Sequence, residues 1–159
     1  MTKTILGIDP GMSGALAFYD EGELLIYDMP TFEITKGKGK RKRLDISLLI
    51  QILKSNEYDH AVIEKVSAQP TNGAAAAFTF GWGCGAVEAL VQSQGQPFSY
   101  VTSMKWKKDT MTPKDKDGAR MRASQLMPQF AHNWQRKKDD GRAEAALIAY
   151  WGMRNVYGL

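Results

Sequence analysis

The chain has a single cysteine, Cys84, in 159 residues, and this excludes an internal disulfide. A domain of this length buries about two-thirds of its unfolded surface, so its core needs no covalent staples. Cys84 sits among glycines and alanines and reads as a small apolar helix residue rather than a reactive thiol. A lone cysteine suits a reducing compartment, and the first residues read as a strand rather than a signal peptide. The expected location is the cytoplasm. The chain reads as having no stretch of about 18 apolar residues, so no membrane span is expected. Nor is there an internal repeat or a composition shift marking a second domain, so residues 1–159 read as one domain.

What the chain does have is positive charge, unevenly placed. Lys36, Lys38, Lys40, Arg41, Lys42 and Arg43 fall within eight residues that contain no acid, against a net charge of +4 for the whole chain. The remainder is therefore slightly acidic, and the basicity is gathered as a polyanion contact would require. The stretch has glycine spacing and no apolar anchor, so a mobile loop at about 35–44 is expected. Two smaller clusters follow, Lys105 with Lys107 and Lys108, then Arg136 with Lys137 and Lys138.

Apolar and β-branched runs predict strands at Thr4–Ile8, Gly14–Tyr19, Glu23–Asp28, His60–Ile63 and Pro97–Val101. Asp45 can cap a helix carrying Ile46, Leu49, Ile50 and Leu53 at helical spacing. Further helices are predicted over about 72–94, 103–108 and 116–127, with a last one starting at Asp139 or Asp140. Three strands, then helix, strand, helix, strand and helices imply an α/β fold, a mixed sheet with helices packed around it.

Three acidic groups stand out on this frame. Asp9 closes the first apolar strand before Pro10-Gly11, and Glu64 does the same after Ala61-Val62-Ile63. Glu144 lies among Ala143, Ala145, Ala146, Leu147 and Ile148, where an ionised carboxylate is costly without a partner. A salt bridge to Arg142 or Arg136 is its ordinary explanation. Asp140 shares a helix face with Glu144 through their i, i+4 spacing, while Asp139 and Asp140 also fit a helix start through the dipole. Carboxylates carried on strand ends and helix starts suit hard divalent cations, which prefer oxygen ligands.

Ile5–Gly14 (ILGIDPGMSG), Val62–Val66 (VIEKV) and Gly141–Ala149 (GRAEAALIA), in that order, resemble the RuvC family of Holliday junction resolvases within the ribonuclease H superfamily. Gly81–Leu90 and Pro97–Lys108 resemble the family's glycine-containing helix and its fifth strand with the lysine-bearing segment beyond. The resemblance implies a ribonuclease-H-like five-stranded mixed sheet flanked by helices. It also implies a homodimer that cuts branched DNA with two Mg²⁺ ions per site, Mn²⁺ substituting, and no small-molecule cofactor. Asp9 matches the first-strand metal-binding aspartate and Glu64 the fourth-strand glutamate. Glu144 matches the last helical acid, an aspartate in the best-known members. The family's fourth acid falls on Gly141, so Asp140 is taken as its replacement, with Asp139 behind it. Lys107 and Lys116 resemble basic residues near the scissile phosphate. The basic stretch, Lys65, Lys105 and Lys108 are expected to meet DNA. Phe78, Phe80 and Trp82 are candidates for stacking, and the small-residue helix Gly73–Leu90 for the dimer face.

Gly7-Ile8-Asp9-Pro10-Gly11 is also similar to the first phosphate loop of sugar kinases and actin-like ATPases. Those need two domains and a second phosphate loop, for which 159 residues are too few. A DNA-binding relative that does not cut, or a nuclease for hybrids or flaps, stays open at this point.

Overall fold

Two central strands buried on both faces organise the molecule. In the computed structural model, which describes residues 2–115 and 117–159, β1 (Ile5–Asp9) is followed by β2 (Ala15–Tyr19) and β3 (Leu24–Asp28). After a separate hairpin, β4 (Thr31–Lys36) and β5 (Gly39–Leu44), come α1 (Ile46–Ser55), β6 (His60–Lys65) and α2 (Ala74–Gln92). The chain ends with β7 (Phe98–Thr102), α3 (Ser103–Thr110), α4 (Gly118–Leu126), two short 3₁₀ turns and α5 (Asp140–Tyr157).

Five strands form one sheet in the order β3-β2-β1-β6-β7. β1 pairs antiparallel with β2, and β2 with β3, while β6 runs parallel to both β1 and β7. Successive side chains point to opposite faces. Leu6, Ile8, Leu16, Ala61 and Ile63 therefore pack toward α1 and α2, where Leu49, Ile52, Val87 and Val91 are buried. Ile5, Ala15, Ala17, Val62 and Val101 pack toward α3, α4 and α5, with Trp106, Ala123, Leu147 and Ile148. A sheet covered on both faces is what lets its parallel half lie in the interior.

α5 lies directly on β1. A Cβ at Gly7 would lie 2.5 Å from the backbone nitrogen of Ala149 and would also strike the carbonyl oxygen of Ala145. Alanine at 143, 145, 146 and 149, all fully buried, keeps the helix surface shallow enough for this approach.

Two expectations are corrected. The basic stretch is not a free loop: Thr31–Lys36 pairs antiparallel with Gly39–Leu44, in register Ile34↔Arg41 and Phe32↔Arg43. Gly37, at φ +64, turns the hairpin. The buried apolar residue that ties it to the core is Leu44, at the end of β5 just beyond the basic run. Second, α2 is long and apolar enough to cross a membrane by length and composition. Gly83, Cys84, Val87 and Val91 are buried residues of this helix.

Candidate active site

Asp9 and Glu64 share a face of the sheet because of strand register. Ile8 pairs with Ile63 across the parallel β1–β6 ladder, so the next residues, Asp9 and Glu64, lie side by side at its carboxyl end. Both follow the parity of Ile5 and Val62 and project toward α5. Glu64 lies inside β6 rather than after it, one residue before the end of the strand. The close seat of α5 on Gly7 brings Glu144 down onto the same spot. One carboxylate oxygen from each of Asp9, Glu64 and Glu144 lies within 4.8 Å of the others.

Packing three acids together is unfavourable, and their proton affinities record it. Burial first, then the charges of Glu144 and Glu64, push the Asp9 carboxyl well above its ordinary range. Burial also raises Glu64, opposed by a hydrogen bond from Trp106 and by the charge of Lys107. Glu144 is raised by burial as well, with Lys107 and a hydrogen bond to Asp9 pulling it back and Asp140 pushing it up. A divalent cation is the partner that such a set lacks, and three converging oxygens suit a hard one.

The cation already present is Lys107, whose Nζ lies 3.9 Å from Glu144 Oε1. Lys107 also stands over the Trp106 ring, 5.4 Å from its centroid. The salt bridge expected from Arg142 or Arg136 goes elsewhere. Arg142 forks onto Asp28 at 2.7 and 2.8 Å, and Arg136 holds Asp139 through its guanidinium and backbone nitrogen. Asp139 is thus a buried structural acid of the turn before α5, not part of the cluster.

Asp140 does not join the three-carboxylate group. It opens α5, and its side chain accepts from the Gly141 amide at 3.1 Å, near enough to Glu144 to repel it. Gly141 has its own reason to be glycine. A Cβ there would strike the carbonyl oxygen of Ser13 and lie 3.0 Å from Gly14 Cα. The first turn of α5 packs against the β1–β2 turn, and that contact leaves no room for an acid at 141.

Reading the sequence missed Trp106. This fully buried indole donates its Nε1–H to Glu64 Oε2 at 2.6 Å. The bond engages one oxygen of Glu64 and leaves Oε1 for a ligand. Its signal in the sequence is slight: a tryptophan alone among lysines on a short helix.

The remaining basic candidates lie outside the three-carboxylate group. Lys65 and Lys108 are exposed, and Lys105 pairs with Asp109 at 3.1 Å. Lys38, Lys40, Arg41, Lys42 and Arg43 are exposed on the hairpin, with Lys40 3.9 Å from Glu33. The side chain of Lys36 and the whole of Lys116 lie outside the described residues. A cleft of about 360 Å³ leads away from Glu64, lined by Lys65, Val66, Ser67, Gln69 and Phe80 among others. Cys84 is buried near these acids, and burial pushes its thiol up to about 11, as an inert cysteine requires.

No protein-family model and no curated protein matches the chain. Solved structures do. Thermus thermophilus RuvC in complex with a Holliday junction substrate superposes with a TM-score of 0.64 at 14% identity, covering 98% of this chain and 96% of that one. A second Thermus thermophilus RuvC structure gives 0.58 at 17% identity, with the same coverage. The yeast mitochondrial Holliday junction resolvase gives 0.55 at 18% identity, covering 96% of this chain and 78% of that one. The chain has the ribonuclease-H-like fold of these proteins over nearly its whole length.

Proposed function

We propose that the chain is a divalent-metal-dependent endonuclease that cuts four-way DNA junctions as a homodimer. One observation carries the reading: Asp9, Glu64 and Glu144, from two adjacent parallel strands and a helix packed across them, converge at the carboxyl edge of a sheet with the RuvC fold. A fold alone does not assign a reaction; the converging carboxylates are the chemistry that this fold carries here.

Asp9, Glu144 and the free oxygen of Glu64 would hold the metal, with Asp140 in support through its field on Glu144. Two Mg²⁺ ions, or Mn²⁺ in their place, supply when bound an acidified water and neutralisation of charge at the scissile phosphate. The protein's own groups do the positioning. Trp106 fixes the rotation of the Glu64 carboxylate. Lys107 sets one positive charge beside the acids, where a phosphate oxygen would approach. Lys65, Lys105, Lys108 and the hairpin residues Lys38, Lys40, Arg41, Lys42 and Arg43 would hold backbone phosphates, contacts that give affinity without reading sequence. Lys36 and Lys116 belong to the same proposal by resemblance. The second copy would dock on α2, where nothing lies within 4 Å of a Cβ built at Gly81 or Gly85.

The test is cleavage of a synthetic four-way junction, a flap and a linear duplex, each with and without Mg²⁺. Metal-dependent cutting that favours the junction, abolished by Asp9→Asn while binding persists, is expected. Wild-type cutting by Asp9→Asn would overturn the metal-site reading. A junction-binding relative that does not cut is the second reading. It is favoured by the glycine at 141, which leaves three converging carboxylates where the family pattern has four. Binding without metal-dependent nicking would select it.

A further inference from the structure

α3 is a polar helix of eight residues, SMKWKKDT, yet two of its side chains reach the acids. An isolated helix of that length is marginal in water. Bonds from outside it must therefore hold Trp106 against Glu64 and Lys107 beside Glu144. At its start the Thr102 side chain caps the helix, accepting from the Lys105 amide at 3.2 Å. At its end lie two buried hydroxyls that the acids themselves do not require, Thr110 at 5% and Thr112 at 7% exposure.

A buried hydroxyl is costly unless it is bonded, and these two are bonded in line. Thr110 Oγ1 donates to the Trp106 carbonyl oxygen at 2.7 Å. That uses its single hydrogen. The 2.7 Å contact between the two hydroxyls is then Thr112 donating to Thr110. The Thr112 amide donates to the Lys107 carbonyl at 2.8 Å. One short return of the chain thus holds the carbonyls of both residues that face the acids. The return runs through Met111, in the left-handed region at φ 57, where a helix end ordinarily has glycine. From the other side, Arg122 on α4 donates its Nε–H to the Thr110 carbonyl at 2.6 Å. Strained backbone persists where its surroundings fix it in this way.

We propose that Thr110 and Thr112 are positioning residues of the metal site. Their hydroxyl relay locks the end of α3, so that Trp106 holds Glu64 Oε2 and leaves Oε1 for a divalent cation. The role rests on the preceding reading insofar as Glu64 is a metal ligand. A shift of α3 that broke the relay would carry Trp106 with it, and the 2.6 Å bond to Glu64 tolerates little displacement.

The probe is Mn²⁺, followed by electron paramagnetic resonance on the full chain, with circular dichroism to check each fold. Thr110→Val removes the relay at nearly constant volume and should weaken Mn²⁺ binding about tenfold. Thr110→Ser keeps the hydroxyl and should bind as the wild type does. In a Trp106→Phe background, Thr110→Val should add no further loss, because both act through one bond. Without metal, the Nε1–H resonance of Trp106, identified by its loss in Trp106→Phe, should move in Thr110→Val and stay in Thr110→Ser. Unchanged Mn²⁺ affinity in Thr110→Val, or an equal loss with and without Trp106, would make the threonines packing residues and overturn the role. If Thr110→Val does not fold, Thr112→Val decides by the same readouts, since it removes the outer hydroxyl and keeps the bond to Trp106. A wild type that binds no Mn²⁺ would overturn the metal-site reading and this role with it. Binding without Mg²⁺-dependent cleavage would remove the nuclease reading alone.

Discussion

The indole of Trp106 donates to Glu64 Oε2 across 2.6 Å of protein interior, from a side chain with no exposed surface. Trp106 is on α3 and Glu64 on β6, and their contact ties the rim of the sheet to the helix that also carries Lys107. Removing the donor by Trp106→Phe keeps most of the ring volume and leaves a buried acceptor unpaired. Stability should fall by about 1–3 kcal/mol. Affinity for Mn²⁺, followed by electron paramagnetic resonance, should fall about tenfold or more, as for other groups that orient metal-binding side chains. A loss of stability with unchanged Mn²⁺ affinity would reduce Trp106 to a packing residue.

Asp9 makes stability depend on pH with a sign opposite to that of most aspartates. Its carboxyl is held above the ordinary 3.8 in the folded protein, so the native state binds this proton more tightly than the unfolded chain does. The contribution is complete below about 3.8 and is lost as pH rises through the raised value. Without metal, Asp9→Asn should therefore melt higher than the wild type at pH 7. The gap should close on acidification. Glu64 and Glu144 shift in the same direction, so the variant keeps a shallower slope. Added Mg²⁺ should raise the melting point of the wild type more than that of the variant.

Gly141 separates a site of three acids from one of four. Gly141→Asp restores the acid of the family pattern but forces a side chain against Ser13 and Gly14. A loss of about 1–3 kcal/mol or more is expected from such overpacking, read as a lower denaturant midpoint. Asp140→Asn removes a charge outside the group and should slow cleavage about tenfold, much less than Glu144→Gln. Equal losses in these two variants would make Asp140 a direct ligand.

The hairpin charges should be visible in salt titrations. Replacing Lys40, Arg41, Lys42 and Arg43 together by glutamine should make the logarithm of junction affinity less steep against the logarithm of salt concentration. Each phosphate that the variant no longer neutralises takes about 0.9 off the slope. An unaltered slope would mean that the hairpin never meets the DNA backbone.

The sheet was legible in the sequence because its central strands are short, apolar and interrupted by turn residues, and register then determines where strand-ending acids project. Asp9, Glu64 and Glu144 could be picked out for that reason, and because a carboxylate among alanines needs a partner. The hairpin was not legible. In Gly39–Leu44 nearly every residue is charged, so the period-two signal of a strand has no contrast, and its one buried side chain, Leu44, comes at the very end. Trp106 escaped because its partner is 42 positions away and nothing local distinguishes a buried tryptophan from an exposed one. Asp140 and Asp139 were ambiguous because adjacent acids at a helix start differ only in rotation about the axis, which the Arg136 fork on Asp139 resolves.

The seat of α5 on β1 at Gly7 also bears on when the three-carboxylate group is completed. Two of the three acids are in place once β1 and β6 have paired, but the third arrives on the last helix. A chain still emerging from the ribosome, or cut short before α5, carries the basic hairpin without the complete three-carboxylate group. On the proposed function, competence to cut is thereby postponed until synthesis has passed Glu144.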